Sequence, residues 1–576
     1  MTPVGPTPIP LVSALPPAQA PTRGILERIL REPNAIWMRE MRQSARLGRT
    51  PWVLFAMTLT ISLLMCCIGG LAAASDAGPA SIGSMLFQTF FSLAYFVVTI
   101  IGPAIAANGI ASEREGRTWE AVLLTGLTPT VIARGKFLAA YTSIALYIVV
   151  LAPVGALSFL FGGVTATEVA VAFIYLFLLA ALFVAFGLAV SSLMSSMRMA
   201  IVLTLILSIC IGTFLYVVVG LGGSFPIHGL WSEVPDWHPV WLPIAYPRAE
   251  FGIEYVLYLI VLPLLAIVIP GWFLYEVTIS NLTAENEDRS TGLKVWFALV
   301  TPLFALACAA PGVVVDDSDA SLVLAISGIV LFLTHLTFSA LLFAHEPHGP
   351  SRRVRIHWMR DRAGFIRRFF GPGVAKASLL ATLYGFFGIF IIAFAVIVSM
   401  YVRGAGASWT SKHEQMVFLC ALYLAPFFVF IAGLVAWLRS RGNTPWVTRL
   451  LASAVLLLVM LGPWVVAAIG GALANHSGSK AYLVIGSPSP FYLVAMLAMV
   501  DGTTSPPEGG LILAGVVCAL LWGLVGLVLL SVASTKCHRM VAQHDAAIAA
   551  ADAALRAEDE AMARAAAAPP TDASPA

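Results

Sequence analysis

The densest group of side chains able to make strong polar contacts is the run Glu113-Arg114-Glu115-Gly116-Arg117-Thr118-Trp119-Glu120. Carboxylates and guanidiniums at this spacing suit ion pairs and charge-assisted hydrogen bonds to another surface. Ser112 followed by acids reads as the start of a helix, where the helix dipole favours negative charge. Trp119 and Val122–Leu124 give that helix an apolar side, and Pro129 stops it. The expectation is a short amphipathic helix lying flat under a bilayer, with charge toward solvent and apolar side chains toward the protein. A second group, Asn34, Trp37, Arg39, Glu40 and Arg42, lies in NAIWMREMRQSARLGR just before the first long apolar run. With Ile25, Leu26, Ile29, Leu30, Ile36 and Met41 it predicts an interfacial helix whose arginines meet anionic headgroups.

Other polar clusters point to less. No G-x-x-x-x-G-K-[ST], H-E-x-x-H or G-x-S-x-G pattern occurs, so neither ATP binding by a phosphate loop nor these hydrolytic chemistries is expected of this chain. His345, His348, His357 and Glu346 sit among prolines and arginines at a spacing that fits no common metal site. The segment 223–251 carries Trp231, Trp237, Trp241, His228, His238, Glu233, Asp236 and Glu250. A lipid-modifying enzyme could be built there, and interfacial anchoring by the tryptophans is the plainer alternative. The seven cysteines lie in or just after apolar runs, which predicts neither disulfide nor zinc site. No catalytic, cofactor-binding or metal residue is assigned.

The elements that position these groups follow from composition. Of 576 residues 59% are hydrophobic and only 11% charged, against roughly 25% charged in soluble domains. Such a chain cannot clothe a globule in polar surface. Its solvent is lipid, where every backbone group must be paired within the chain, by helices or a closed barrel. The apolar runs are continuous and longer than a barrel strand needs. The fold class is therefore an all-α polytopic membrane protein of about twelve transmembrane helices, at 51–74, 82–107, 136–161, 167–191, 199–222, 252–276, 294–313, 321–344, 378–401, 415–438, 450–472 and 511–533. With the N-terminus inside, the inner segments hold 29 of the 33 basic residues, which places both termini in the cytoplasm. No charged residue falls mid-span. Ion-coupled carriers need such groups at depth, so the energy source is expected outside this chain. His335 is the one ionisable side chain near a span centre, and a neutral imidazole bonded to a neighbouring helix accounts for it.

The domain plan is a disordered leader at 1–22, an interfacial elbow helix at 23–50, and a six-span half at 51–276 carrying the loop 108–136. A linker at 277–293 leads to a second six-span half at 294–533, with a basic loop at 345–377 and an interfacial or re-entrant hairpin at 473–510. An Ala-rich solvated tail at 534–576 closes the chain. The turn joining spans four and five rhymes with that joining ten and eleven. Each half then has a proline-aromatic cluster, HPVWLPIAYP and SPSPFYL, which predicts two halves in parallel orientation.

The loop 108–136 resembles the first cytoplasmic loop of type-2 ABC-transporter permeases. Their usual pattern is an E-R-E-x-G-T-x-E-like run, a leucine cluster, a proline and a Gly-Lys pair. Here these are Glu113–Glu120, Val122–Leu124, Pro129 and Gly135-Lys136, with Arg117 interposed between Gly116 and Thr118. Residues 34–49 are similar to the elbow helix of that family. The motifs cover residues 33–210, and the second half resembles the family by topology only. The resemblance implies an exporter permease of the bacterial cytoplasmic membrane. It implies that Glu113, Arg114, Glu115, Gly116, Arg117, Thr118 and Glu120 couple to a separate ATPase, in two copies, which holds the ATP and Mg. Membrane lipid is an expected partner and nucleic acid is not. The empty mid-membrane argues for an amphipathic or lipid-like cargo. The loop 345–377 lacks the E-R-E-x-G run, and is either a degenerate second coupling loop or a lipid-headgroup surface. A membrane-embedded enzyme and a non-transporting assembly subunit are the alternatives.

Overall fold

The computed structural model describes residues 34–46, 49–75, 78–315, 318–403, 411–474, 481–502 and 509–567. The leader 1–22, the first part of the elbow at 23–33, the acidic pair Asp316–Asp317, Lys480 and the tail 569–576 lie outside them. Among the described residues twelve helices are long and apolar enough to cross a membrane, and all twelve coincide with the expected spans. The chain divides into two compact units, 1–271 and 272–576, the division falling inside one helix.

In the first unit the elbow α1 (Ala35–Ala45) precedes helix α2 (Arg49–Ala74), which carries the span Pro51–Ala74. α3 (Pro79–Glu115), α4 (Trp119–Leu124), α5 (Pro129–Leu160), α6 (Ala166–Leu193) and α7 (Met197–Leu215) follow. The second span, α3, is the hub and packs against α2, α5, α6 and α7. Lipid offers no hydrophobic gain for burying one helix on another, so close approach of small residues carries the packing. At Gly187 of α6 an added Cβ would lie 2.3 Å from the Pro103 carbonyl oxygen of α3, which excludes any side chain there.

Beyond α7 the helix widens into a π-helical turn, Tyr216–Leu221, and a second π segment, Tyr255–Val261, opens the sixth span. Between them α8 (Ser224–Leu230) and α9 (Trp241–Ala245) form a cap with its own core of Ile227, Val234, Trp241, Ala245 and Leu259. Carbonyls of both π segments are taken up by side chains. Trp241 Nε1 donates to Val219 O at 2.9 Å, and the Tyr175 and Tyr246 hydroxyls donate to Leu259 O at 3.0 and 2.6 Å.

α10 (Leu262–Leu282) leads to the second unit. Its spans are α11 (Thr291–Val314) and α12 (Ser318–Phe343), then, after the short loop helices α13 (Arg352–Arg360) and α14 (Phe365–Phe370), α15 (Val374–Arg403), α16 (Ser411–Ser440) and α17 (Pro445–Ala474). Here the hub is α16, the tenth span, packed against α12, α15, α17 and the last helix. The hubs are thus the second span of one six and the fourth of the other, so the internal packing of the two units does not repeat. The closest crossing is a glycine pair: a Cβ at Gly433 would lie 2.3 Å from Gly526 O. His335 bonds Thr301 Oγ1 on the neighbouring α11 at 3.2 Å, its ring stacked on Phe297 and Phe332.

Within 473–510, α18 (Ala481–Gly486) and α19 (Tyr492–Gly502) are each too short to cross hydrocarbon. Residues 475–480 and 503–508 lie outside the described set. The turn between the two helices is pinned by Tyr423 donating to Ser487 O and Trp522 Nε1 to Pro488 O, at 2.7 and 3.0 Å. The final helix α20 (Gly509–Ala567) runs 59 residues without a break, so the last span and the Ala-rich tail are one element rather than two. Alanine, arginine and glutamate favour helix strongly enough to carry it past the apolar stretch.

Candidate functional site

The loop 108–136 has a different local structure from the one its sequence suggests. Ser112 does not cap a new helix. Its hydroxyl donates back to Asn108 O, and Ser112–Glu115 is the last turn of α3. The chain then reverses in a tight turn, Thr118 N donating to Glu113 O at 2.9 Å. Arg117 occupies the left-handed region there with φ 54°, a conformation costing about 1–2 kcal/mol in a non-glycine residue. The helix proper is α4, only six residues long, and it opens after Thr118. A serine followed by acids reads as a helix start, and the competing fact is that α3 had not ended. Continuing it brings Glu113 within reach of buried cations.

Glu113 is a strut rather than a surface charge. Its carboxylate accepts from Lys136 Nζ at 2.8 Å and from Arg39. Lys136, on α5, is almost wholly buried and also donates to Glu40 at 2.7 Å. Arg39 bridges Glu40 and Glu113. Two acids and two bases therefore tie the elbow, the second span and the third span together. Lys136 and Glu113 are the buried part of the set, where an unmatched charge would be costly, while Arg39 and Glu40 are partly exposed and screened by solvent. Burial alone would raise the Glu40 carboxyl; Lys136 and then Arg39 outweigh it and hold it below the ordinary carboxylate range.

The elbow is seated by the same residues that suggested it. Asn34 caps α1, accepting from Ile36 N and Trp37 N at 3.0 and 3.3 Å, while its amide donates to Val131 O of α5 at 2.8 Å. Trp37 Nε1 donates to Thr142 Oγ1 at 3.2 Å. Gly135 permits this approach, since a Cβ there would lie 2.4 Å from Asn34 Oδ1 and 2.7 Å from Ile36 Cβ. The Gly135-Lys136 pair thus has two jobs, clearance and charge. Arg42 is exposed on the far side of α1.

The next residues reach the other way. Arg114 donates to Ser192 O at 2.7 Å and lies over the Trp119 ring. Glu115 accepts from Met197 N at 2.6 Å, at the start of the fifth span. Sequence reasoning missed Ser191, whose buried hydroxyl donates to Ala107 O and accepts from Ile110 N and Ala111 N. Its only signal was the small-residue run at the end of α6. What remains outward is α4 itself: Val122 is buried, while Glu120, Leu123 and Leu124 are exposed, Leu124 to 87%. The apolar side of the short helix therefore faces partly away from the bundle, opposite to the expectation.

Residues 35–242 match the family model described as ABC-2 family transporter protein. The match covers less than half of the chain and marks a likeness of this region to ABC-2 family transporters. The match spans both resembling stretches, the elbow and the 108–136 loop, and ends in the cap. No curated protein matches the chain. Twelve apolar helices make this a multi-pass membrane protein, and its residues 35–242 are similar to ABC-2 family transporters. Within the cap, Glu233 and Asp236 are exposed. His238 is buried, its ring accepting from Val240 N at 3.3 Å. Burial, and then Arg248, push this imidazole down to about 4. The cap residues that could have formed an enzyme site are thus split between surface and interior.

In the second unit four of the eight basic residues of the loop 345–377 are paired with acids, Arg367 among them with Asp361. Lys294 and Glu346 form a buried pair at 3.2 Å, joined by Gly371 O and Gly373 N. Arg353 pairs with Glu287, and Arg352 and Arg355 pair with Asp552 and Asp545 of α20. Among the described residues no group of three or more His, Cys, Asp or Glu could hold a metal ion.

Proposed function

We propose that this chain is the membrane permease of an ATP-binding-cassette exporter, and that a separate ATPase docks on α4. The carrying observation is the contrast within one loop. Its flanks are fixed by Glu113, Arg114 and Glu115 to four other elements, while Glu120, Leu123 and Leu124 face solvent. A rigidly mounted, partly apolar knob suits transmission of a push from a soluble motor, because displacement at α4 is carried to spans two to five rather than absorbed by the loop. Gly116, Arg117 and Thr118 shape the turn that mounts it. ATP and Mg belong to the partner, in two copies. The concentration of basic residues on the side of this loop supports cytoplasmic termini, and the likeness to ABC-2 transporters supports a bacterial inner membrane. The cargo is amphipathic or lipid-like, in keeping with spans that carry no charge at their centres.

Co-purification of the permease with its ATPase tests this. Leu124→Asp and Glu120→Lys should each release the ATPase while the permease stays in the membrane at normal level. Retention of the ATPase by both variants would refute the docking assignment.

A further inference from the structure

Past its apolar stretch, α20 carries a repeat that neither the spans nor the loop explain. Val541, Ile548, Leu555 and Met562 recur every seven residues, and Asp545, Asp552 and Asp559 recur seven apart beside them. Positions seven apart on a helix drift by only about 20° per heptad, so both rows share one side of α20. The first half of that stripe is reached by two arginines of α13. Arg355 forks onto both carboxylate oxygens of Asp545, and Arg352 meets Asp552 at 2.8 Å. Gly349 lies so close to Val541 that a Cβ would stand 2.5 Å from its Cγ2.

The second half of the stripe has the same chemistry and no cover. Leu555 and Met562 are 60% and 59% exposed, and Asp559 is exposed between them. Glu558 and Glu560 flank Asp559; against them stand Arg556 and Arg564, the latter paired with Glu560, so the local charge is still net acidic, whereas α13 is basic. We propose that Leu555, Asp559 and Met562 form a docking surface for a basic amphipathic helix of a partner protein. That helix would place an arginine on Asp559 and aliphatic side chains on Leu555 and Met562, extending the contact that α13 begins. A second copy of α20 is the wrong occupant, since it would bring acids against acids. The proposal does not depend on the ATPase reading.

The test uses the full-length protein in nanodiscs and, as probe, a fluorescent peptide copying residues 351–362, the segment that already fits this stripe. Saturable, salt-sensitive binding is expected. Leu555→Glu and Asp559→Lys should each weaken it by about tenfold or more. Ala557→Gln, on the opposite face, should leave it unchanged and shows that the helix persists. Absence of saturable binding overturns the proposal. So does binding that resists Leu555→Glu and Asp559→Lys but falls with Asp545→Asn and Asp552→Asn, because the peptide would then only be displacing α13. Disulfide capture of two chains through Leu555→Cys, with the peptide excluded, would assign the stripe to self-association and overturn it equally.

Discussion

Replacing Gly135 by alanine should unseat the elbow without unfolding the bundle. The added Cβ would meet Asn34 Oδ1 at 2.4 Å and Ile36 Cβ at 2.7 Å, against an optimum of about 3.5–4.0 Å. Neither neighbour is a free side-chain tip. Asn34 is held by three hydrogen bonds, two of them the cap of α1, and Ile36 Cβ is fixed to the backbone. The elbow must therefore move by about 1 Å. Overpacking costs about 1–3 kcal/mol and a lost N-cap about 1 kcal/mol, so roughly 2–4 kcal/mol of docking is lost. At 1.4 kcal/mol per factor of ten, local opening rises about 30- to 700-fold. Amide exchange of Ile36–Ala45 in the intact protein reads this directly, and α3 and α6 should keep their protection. Unchanged exchange in α1 would refute the clearance role of Gly135. A uniform loss through α3 and α6 would show instead that the elbow and the bundle are one cooperative unit.

Two further outcomes follow from features elsewhere. His238 is held neutral in the cap, down at about 4, below an ordinary histidine. The unfolded cap therefore binds the extra proton below about pH 6.5, and stability is full above that value and falls as pH drops toward 4, by up to about 3 kcal/mol. Amide exchange across residues 224–245 should loosen over that interval, and His238→Asn, which keeps an acceptor for Val240 N, should flatten the dependence. In the second unit, Gly433→Ala would force a methyl to 2.3 Å from Gly526 O, backbone against backbone. Its thermal inactivation midpoint should drop well below that of Gly462→Ala, whose site is loosely surrounded, and equal midpoints would contradict the close crossing of α16 and α20.

The spans were legible because a single quantity, the length of uninterrupted apolar sequence, decides them. The loop was legible as a motif and not as a shape. Ser112-Glu113-Arg114-Glu115 carries the local signs of a helix start, and only a lysine on another helix shows that Glu113 ends one. The Gly135-Lys136 pair was visible too, but its partners Asn34 and Glu40 lie almost a hundred residues away, a separation no local pattern encodes. Partners of the basic loop were hidden for a related reason. Arg355 looks like a headgroup ligand until the chain, 190 residues on, supplies Asp545. Charge counted along a sequence says where cations are, and only the fold says which of them are already spent on acids.

The buried tie between Glu40 and Lys136 also orders the birth of the molecule. The elbow leaves the ribosome first, yet its seat is 96 residues downstream. At about 5–20 residues per second roughly 5–20 s elapse before that seat exists. During that interval Arg39 and Glu40 have neither Glu113 nor Lys136 to meet, and the bilayer surface is the natural holding place for an amphipathic segment. Insertion of the third span then collects it. A third span entered in another register would not present this lysine, so docking of the elbow depends on correct placement of residues made later.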